Sequence, residues 1–443
     1  MSYIQGEGRS QGTLFPVVLD DLVAADHVCR VIDGFVDRLG MAELGFERAE
    51  AAETGRPGYD PRDLLKLYLY GYLHTIRSSR RLEAECRRNV ELMWLLGRLY
   101  PDHKSIAEFR RMHRDAVTAA GAELVRFARS CGLIRGEWIA VDGTKFRAVS
   151  SADSVRERQA LSRYLDSCEK ADEEQQATID PTAVQAAMEK LKQHPEPEVG
   201  MMRVAGGFAP AYNVQTAVDA EHALIVTHAV TLDAGDNRSL EPMAEAAKKA
   251  IDPVGEVNIV ADAGYSNGEQ ASRLEAAGLI PHVPATRGIN NQGGGGLLDR
   301  SLFVYQPETD SFLCPEGKTL HRKQLARKDR AVFYQAEASD CASCPRKTGC
   351  TTAPQRMVTR HLHDEALKRM HQRATPDKMR LRRSIVEHPF GTLKYRIFGH
   401  PRLLLRGTRG AQIEISLATM AYNLKRMVNV LGGLKLTQQL NPA

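Results

Sequence analysis

Two short apolar runs, EWIAV at 137–141 and VNIVA at 257–261, each pass directly into an aspartate, Asp142 and Asp262. Runs of this length with β-branched content fit buried strands and are short for helices. The second run lies in an alternation of helix, strand, loop, helix and strand from Asn237 onwards that closes on LIPHVPA. Such alternation builds parallel sheet elements covered by helices. Strand-like runs at Tyr212–Val218 and Leu224–Thr231 extend the same sheet, so the middle of the chain is expected to be an α/β core.

The period upstream is different. Residues 1–20 are glycine-rich and polar and read as an arm, after which LDDLVAADHVCRVIDGFVDRLG places apolar residues at helical intervals. The segment from Pro61 to Gly97 reads as two helices, with Pro61 in a first turn and Arg77, Arg80, Arg81, Arg87 and Arg88 about the second. A further helix follows, with Ser105 and Glu108 spaced as a capping box. Ser150–Glu198 reads as a charged helical insertion, and GINNQGGGG at 288–296 as a flexible loop. Helix resumes near Lys378, is interrupted at Pro389, and closes with an amphipathic segment around Gly410–Val430.

A chain of 443 residues has room for two to four structural units. Its 43% hydrophobic and 26% charged content argues against disorder and against a membrane protein. No apolar stretch approaches a membrane span and the N-terminus has no secretory pattern, so the expectation is a cytoplasmic protein. The net charge of +5 is modest but concentrated, with ten Lys or Arg against two acids between residues 371 and 410. That block suits either a solvated helix face or a polyanion such as DNA, with salt-sensitive affinity.

An aspartate at the end of a buried strand serves either as a turn former or as a metal ligand. Asp142 and Asp262 on neighbouring strands could share a cation. Glu387, in RRSIVEHPFGTLKYRIFGH, has helical spacing from Arg380 and Arg383 and lies near Lys394. It reads either as an ion-pair partner or as a third carboxylate on a path for a phosphate backbone. Asp233 and Asp236, in LDAGDN, have the composition of a turn. Cys314, Cys341, Cys344 and Cys350 form one cluster, Cys341 and Cys344 with knuckle spacing, and offer four thiolates to one tetrahedral Zn²⁺; reduced structural thiols are the alternative. Cys29, Cys86 and Cys131 lie in apolar helical settings and read as core.

In combination, VDGTKF at 141–146, ADAGYSN at 261–267 and the Arg383, Glu387, Lys394 spacing resemble the DDE transposases of bacterial insertion sequences. The third motif resembles the Tyr, Arg, Glu, Lys signature of one branch, with Arg380 where that branch has Tyr. YDPRDLLKLYLYGYL, PDHKSIAEFRR and AYNVQTAVD resemble further parts of the same proteins, with Asn213 and Gln215 either turned towards the metal site or alternating on a sheet face. The resemblance implies an α+β protein: an RNase H-like mixed α/β core with a helical N-terminal domain, a helical insertion and a small zinc-ribbon-like insertion.

It implies Asp142, Asp262 and Glu387 as catalytic ligands of two Mg²⁺ or Mn²⁺ ions, with Arg383, Lys394, Arg380 and Arg396, and Arg80, Arg81, Arg110 and Arg111 of the N-terminal region, contacting DNA. The partners implied are transposon terminal inverted repeats, target DNA and a second copy in an active homodimer. The expected organisation is an arm at 1–20, a DNA-binding or dimerising domain at 21–135, a catalytic core at 136–290 and 375–435 with an insertion at 150–200, and a cysteine-rich insertion at 291–374. Two other readings use the same residues: a stand-alone metal-dependent nuclease, and a non-catalytic zinc-containing DNA-binding protein derived from a transposase.

Overall fold

The computed structural model describes residues 18–50, 58–171, 179–253, 255–285, 297–326 and 330–441. The glycine-rich run 288–296 and most of the N-terminal arm lie outside the described residues.

The chain opens with helices α1 (Val28–Asp37), α2 (Pro61–Leu73), α3 (Ser79–Cys86), α4 (Val90–Leu95), α5 (His103–Met112) and α6 (Arg114–Ser130). Asp60 caps α2 with Pro61 in its first turn, and Leu64 through Tyr72 is buried throughout, so the aromatic run is helix core. Pro61–Gly97 holds three helices where two were expected, because Asn89 accepts from the backbone N–H groups of Glu91 and Leu92 and starts α4 afresh. The cap of α5 is Asp102, not Ser105: its carboxylate accepts from Lys104 N at 2.9 Å and Ser105 N at 3.1 Å, starting the helix before the expected box.

The central sheet contains β1 (Trp138–Arg147), β2 (Gly200–Val204), β3 (Gly207–Asp219), β4 (Ile225–Thr231), β5 (Val257–Val260) and β6 (Leu279–His282). β1 pairs antiparallel with β3, β3 antiparallel with β4, β1 parallel with β5, and β5 parallel with β6. The order β4-β3-β1-β5-β6, three antiparallel strands followed by two parallel to the first, is the RNase H-like core. β2 forms a hairpin with the start of β3. Helices α7 (Ala152–Glu169) and α8 (Pro181–Lys192) fill the segment between β1 and β2.

α9 (Leu240–Ile251) connects β4 to β5, and α10 (Gly268–Ala276) connects β5 to β6. A second antiparallel sheet follows as a meander: β7 (Val304–Gln306), β8 (Ser311–Leu313), β9 (Thr319–Ala326), β10 (Ala331–Ala336) and β11 (Met357–His361). It has its own core of Phe303, Phe312, Leu320, Val332, Tyr334 and Val358, separate from that of the main body. The short helices α11 (Ala338–Ala342) and α12 (Lys347–Cys350) lie between β10 and β11.

The chain returns through α13 (Asp364–Arg373) and α14 (Pro376–Gly391), then a π-helical segment (Thr392–Ile397), α15 (Gly407–Leu431) and α16 (Gly433–Leu440). Pro389 does not end α14. The helix runs through it and widens into the π segment, a common response to a lost backbone donor. α15 packs on α2, α6 and β4, so the N-terminal helices and the sheet share one continuous hydrophobic core. Arg77 ties the same parts together, reaching Glu414 Oε2 at 3.1 Å and the carbonyl of Phe398 at 3.1 Å. No helix among the described residues is long and apolar enough to cross a membrane.

Candidate active site

In the parallel register of β1 and β5, Ile139 lies opposite Ile259 and Ala140 opposite Val260. Two residues further along each chain come Asp142 and Asp262, where this pairing has ended. Asp142 is not at a strand end: β1 continues to Arg147, paired with β3 and no longer with β5. The carboxylates therefore meet at a notch in the sheet, where β5 turns away and β1 does not. Asp262 also caps a 3-10 turn (Ala263–Tyr265), its Oδ1 accepting from Gly264 N at 2.8 Å, which leaves Oδ2 for other partners.

Those partners include Arg382. Its Nη2 is 2.7 Å from Asp142 Oδ1 and 3.5 Å from Asp262 Oδ2, with the Arg382 side chain only 13% exposed. The guanidinium stands where a cation shared by the two aspartates would stand. Burial pushes the Asp142 carboxyl up to about 6; Arg382 and the Gly143 N–H oppose that rise, and the Asp262 charge adds to it. Arg382, not the neighbouring Arg380 or Arg383, is the arginine of α14 at the carboxylates. The available signal was helical spacing, because Arg382 is in step with the buried Ile385, Val386 and Pro389 and so faces the sheet.

A fourth carboxylate lies beside the pair. Asn213 Nδ2 and Gln215 Nε2 each donate to Asp236 Oδ1 at 2.7 Å, and Lys145 Nζ is 3.4 Å from the same oxygen. Asn213 and Gln215 are fully buried, and Tyr265 donates its hydroxyl to Gln215 Oε1. Read from sequence as a turn residue, Asp236 is thus gripped by two buried amides and a lysine. The Asp142–Gly143 pairing has a steric reason: a β-carbon at Gly143 would stand 2.3 Å from Gln215 Nε2 and 2.7 Å from Asp236 Oδ1.

Glu387 is exposed on α14, and its side chain makes no hydrogen bond or ion pair among the described residues. Lys394, on the π segment, is half-buried: burial lowers its ammonium while Asp142, close by, raises it. Lys145, Arg147, Arg203, Lys394, His400 and Arg402 line a cleft that opens beside Gly143. Arg383 and Arg396 are exposed, and Arg380 is exposed and paired with Asp377 at 3.2 Å. Arg80 and Arg81 are exposed, and Arg111 is exposed and paired with Glu108 at 2.6 Å. Arg110 is not available to DNA. It is buried, donates to the carbonyl of Arg77 at 3.3 Å and lies 5.3 Å over the ring of Tyr68, because its place on α5 faces the helical core.

The four clustered cysteines gather at the edge of the second sheet. Cys314, Cys341 and Cys350 pack on its core, and burial raises the Cys350 thiol, but no three of the four sulfurs lie mutually within 4.8 Å. The turn after Cys314 folds back so that Gly317 N donates to its carbonyl at 2.9 Å and Lys318 N to its sulfur at 3.3 Å. Among the described residues, the grouping with three potential ligand atoms mutually within 4.8 Å is His27, Cys29 and Glu91. His27 Nδ1 accepts from Cys29 N, which leaves the neutral ring's proton on Nε2, 3.4 Å from Glu91. Burial also pushes the Cys29 thiol up to about 12, so this is a histidine–glutamate contact beside a core thiol.

Comparison with known proteins agrees with this architecture. Residues 17–112 match the family described as Transposase domain (DUF772), and residues 137–424 match Transposase DDE domain. No curated protein matches the chain. Among solved structures, a piggyBac transposase synaptic complex with hairpin DNA aligns over 93% of this chain and 78% of that one, at 10% identity and a TM-score of 0.35, too distant to bear on the site. With the DDE domain spanning well over half of its length, the chain belongs to the DDE transposase family.

Proposed function

We propose that this DNA transposase uses Asp142, Asp262 and Glu387 to hold two divalent cations, Mg²⁺ or Mn²⁺, and with them cuts DNA at transposon ends and joins the freed ends to target DNA. The observation that supports this most directly is the Arg382 guanidinium between Asp142 and Asp262, a stand-in for a cation between two facing carboxylates. An all-oxygen donor set fits a hard cation. When bound, the ions activate the attacking oxygen and stabilise the leaving oxygen of an in-line displacement.

The chain's own residues set the stage for that chemistry. Asp142 and Asp262 are held by adjacent strands of one sheet, and Glu387 by the helix that carries Arg382, five residues on and on the exposed side of that helix, so α14 has to turn for Glu387 to join them. Arg382 would have to leave the two carboxylates for them to hold the ions. The cationic cleft beside Gly143, with Lys394 near Asp142, leads a phosphate backbone past the carboxylates, and the exposed Arg380, Arg383 and Arg396 extend that track. Arg80, Arg81 and Arg111 offer charge on the N-terminal helices to DNA or to a partner. Joining two ends calls for two copies of the chain.

Cys314, Cys341, Cys344 and Cys350 hold one structural Zn²⁺ in this reading. The backbone N–H directed at Cys314 Sγ suits a thiolate, and the site's task is to fold the second sheet.

The test is DNA cleavage and strand transfer on terminal-repeat substrates with Mg²⁺, comparing wild type with Asp142→Ala, Asp262→Ala and Glu387→Ala. Loss of both activities in all three with DNA binding kept is the expected result. Full activity in any one removes that residue from the centre, and cleavage without joining by the wild type points to a nuclease.

A further inference from the structure

Asp236 belongs to none of the motifs that mark the family in this sequence, yet its position ties it to the carboxylate pair. All three donors described for its side chain, from Asn213, Gln215 and Lys145, converge on Oδ1, and Oδ2 has no partner among the described residues. Oδ2 lies by the turn that the second aspartate caps: the β-carbon position of Gly264 is 4.0 Å from Asp236 Oδ2 and 3.0 Å from Asp262 Oδ1. Asp236 Oδ2 thus borders the same turn that Asp262 caps, while Asp262 Oδ2 meets Asp142 across Arg382.

A second observation points to a ligand. Asn213 is fully buried and its Oδ1 has no donor. Its amide cannot be turned round to relieve this, because Nδ2 is committed to two acceptors, Asp236 Oδ1 and the Asp233 carbonyl at 3.1 Å. The orphaned oxygen lies 3.0 Å from the β-carbon position of Gly143, where only a glycine leaves room. A buried acceptor without a donor is costly unless a cation, or water bound to one, faces it.

We propose that Asp236 is a fourth carboxylate of the cation centre, binding a divalent ion through Oδ2 in common with Asp262, while Asn213, Gln215 and Lys145 hold Oδ1. This rests on the metal-centre reading given above. The amide clamp holds a loop residue to the geometry that ligands on strands have by default, and an oxygen ligand gripped in this way costs little further ordering on metal entry.

Mn²⁺ titration of the full chain, followed by the electron paramagnetic resonance of the free ion, tests the assignment without reference to activity. Asp236→Asn keeps an oxygen for the Asn213 and Gln215 donors, so a merely structural role survives it. The exposed neighbour Asp233→Asn is the control. Asp236→Asn is expected to weaken Mn²⁺ binding tenfold or more, as do Asp142→Asn and Asp262→Asn, with Asp233→Asn unchanged. Wild-type affinity in Asp236→Asn, with binding weakened in the other two, overturns the proposal alone. Wild-type affinity in all three overturns the metal centre as well. Should Asp236→Asn fold poorly, Asp236→Cys supplies a softer ligand at the same place and is expected to bind Cd²⁺ at least tenfold more tightly than the wild type. No gain in Cd²⁺ affinity counts against Asp236 as a ligand.

Discussion

Arg382 Nη2 lies 2.7 Å from Asp142 Oδ1, joining α14 to the first strand of the sheet through a contact that a divalent cation would have to break. The arginine thus links two states of the site, one neutralised by the protein itself and one neutralised by metal. Removing one partner of such a buried pair strands the other.

Arg382→Met keeps the apolar stem and deletes the charge. In chelator, Asp142 and Asp262 then face each other without a counter-charge, and thermal stability is expected to fall by about 1–3 kcal/mol. Added Mn²⁺ should recover most of the loss. Melting curves with and without Mn²⁺ check this, and a variant with the wild type's metal response would show that Arg382 is not the cation's stand-in.

The raised pKa of Asp142 makes a pH prediction for the metal-free protein. The folded value of about 6 lies above the ordinary 3.8, so between these values the native state keeps a proton that the unfolded state has released. The group's contribution to stability is therefore lost as pH rises through about 4 to 6, reaching on the order of 2–3 kcal/mol by pH 7. In chelator the wild type should therefore lose stability between about pH 4 and pH 7 that Asp142→Asn, which does not titrate there, keeps, so the difference between the two shifts towards the variant as pH rises. Urea denaturation at several pH values measures the gap.

The separate core of the second sheet localises the effect of its cysteines. Cys341→Ser with Cys344→Ser is expected to abolish one equivalent of bound zinc and to loosen residues 297–361, leaving the main body folded. Metal analysis and hydrogen exchange report the two effects. A wild-type protein purified without zinc and yet ordered in this region would leave the cysteines as structural thiols.

Glu414 is fully buried on α15, where it accepts from Leu404 N at 2.7 Å, Leu405 N at 2.6 Å and Arg77 at 3.1 Å. Glu414→Ala strands the Arg77 charge and two backbone donors, so a loss of about 3–5 kcal/mol is expected. Chemical denaturation gives the value, and a loss below about 1 kcal/mol would mean that water replaces the carboxylate.

Lys394 and Arg203 lie on the cleft beside Asp142. Replacing both with Ala should weaken DNA binding irrespective of sequence and make the slope of log K against log salt shallower by about 2, one counterion for each lost phosphate contact. An unchanged slope would place the DNA elsewhere.

Much of this molecule is written locally. The strand before Asp262, the start of the strand that carries Asp142, the buried aromatic helix α2 and the cysteine-bearing insertion all follow from the period and chemistry of adjacent residues, which act over a few positions whatever the rest of the chain does. The errors were local as well. Asp102 took the cap expected of Ser105, and Asn89 divided one expected helix into two, because short side chains compete for the same few backbone donors.

Local pattern was enough for an α/β core, for Asp262 just past the end of its strand, and for helices before and after the sheet. Only the tertiary structure decided which charges meet: Arg110 turned into the core rather than outward, Arg382 set against Asp142 from 240 residues away, and Asp236 drawn from a turn into the grip of Asn213 and Gln215. Charge carries no periodic signature of its partner, and a buried ion or amide is satisfied by whatever the fold brings within about 3 Å, a relation that local pattern does not encode.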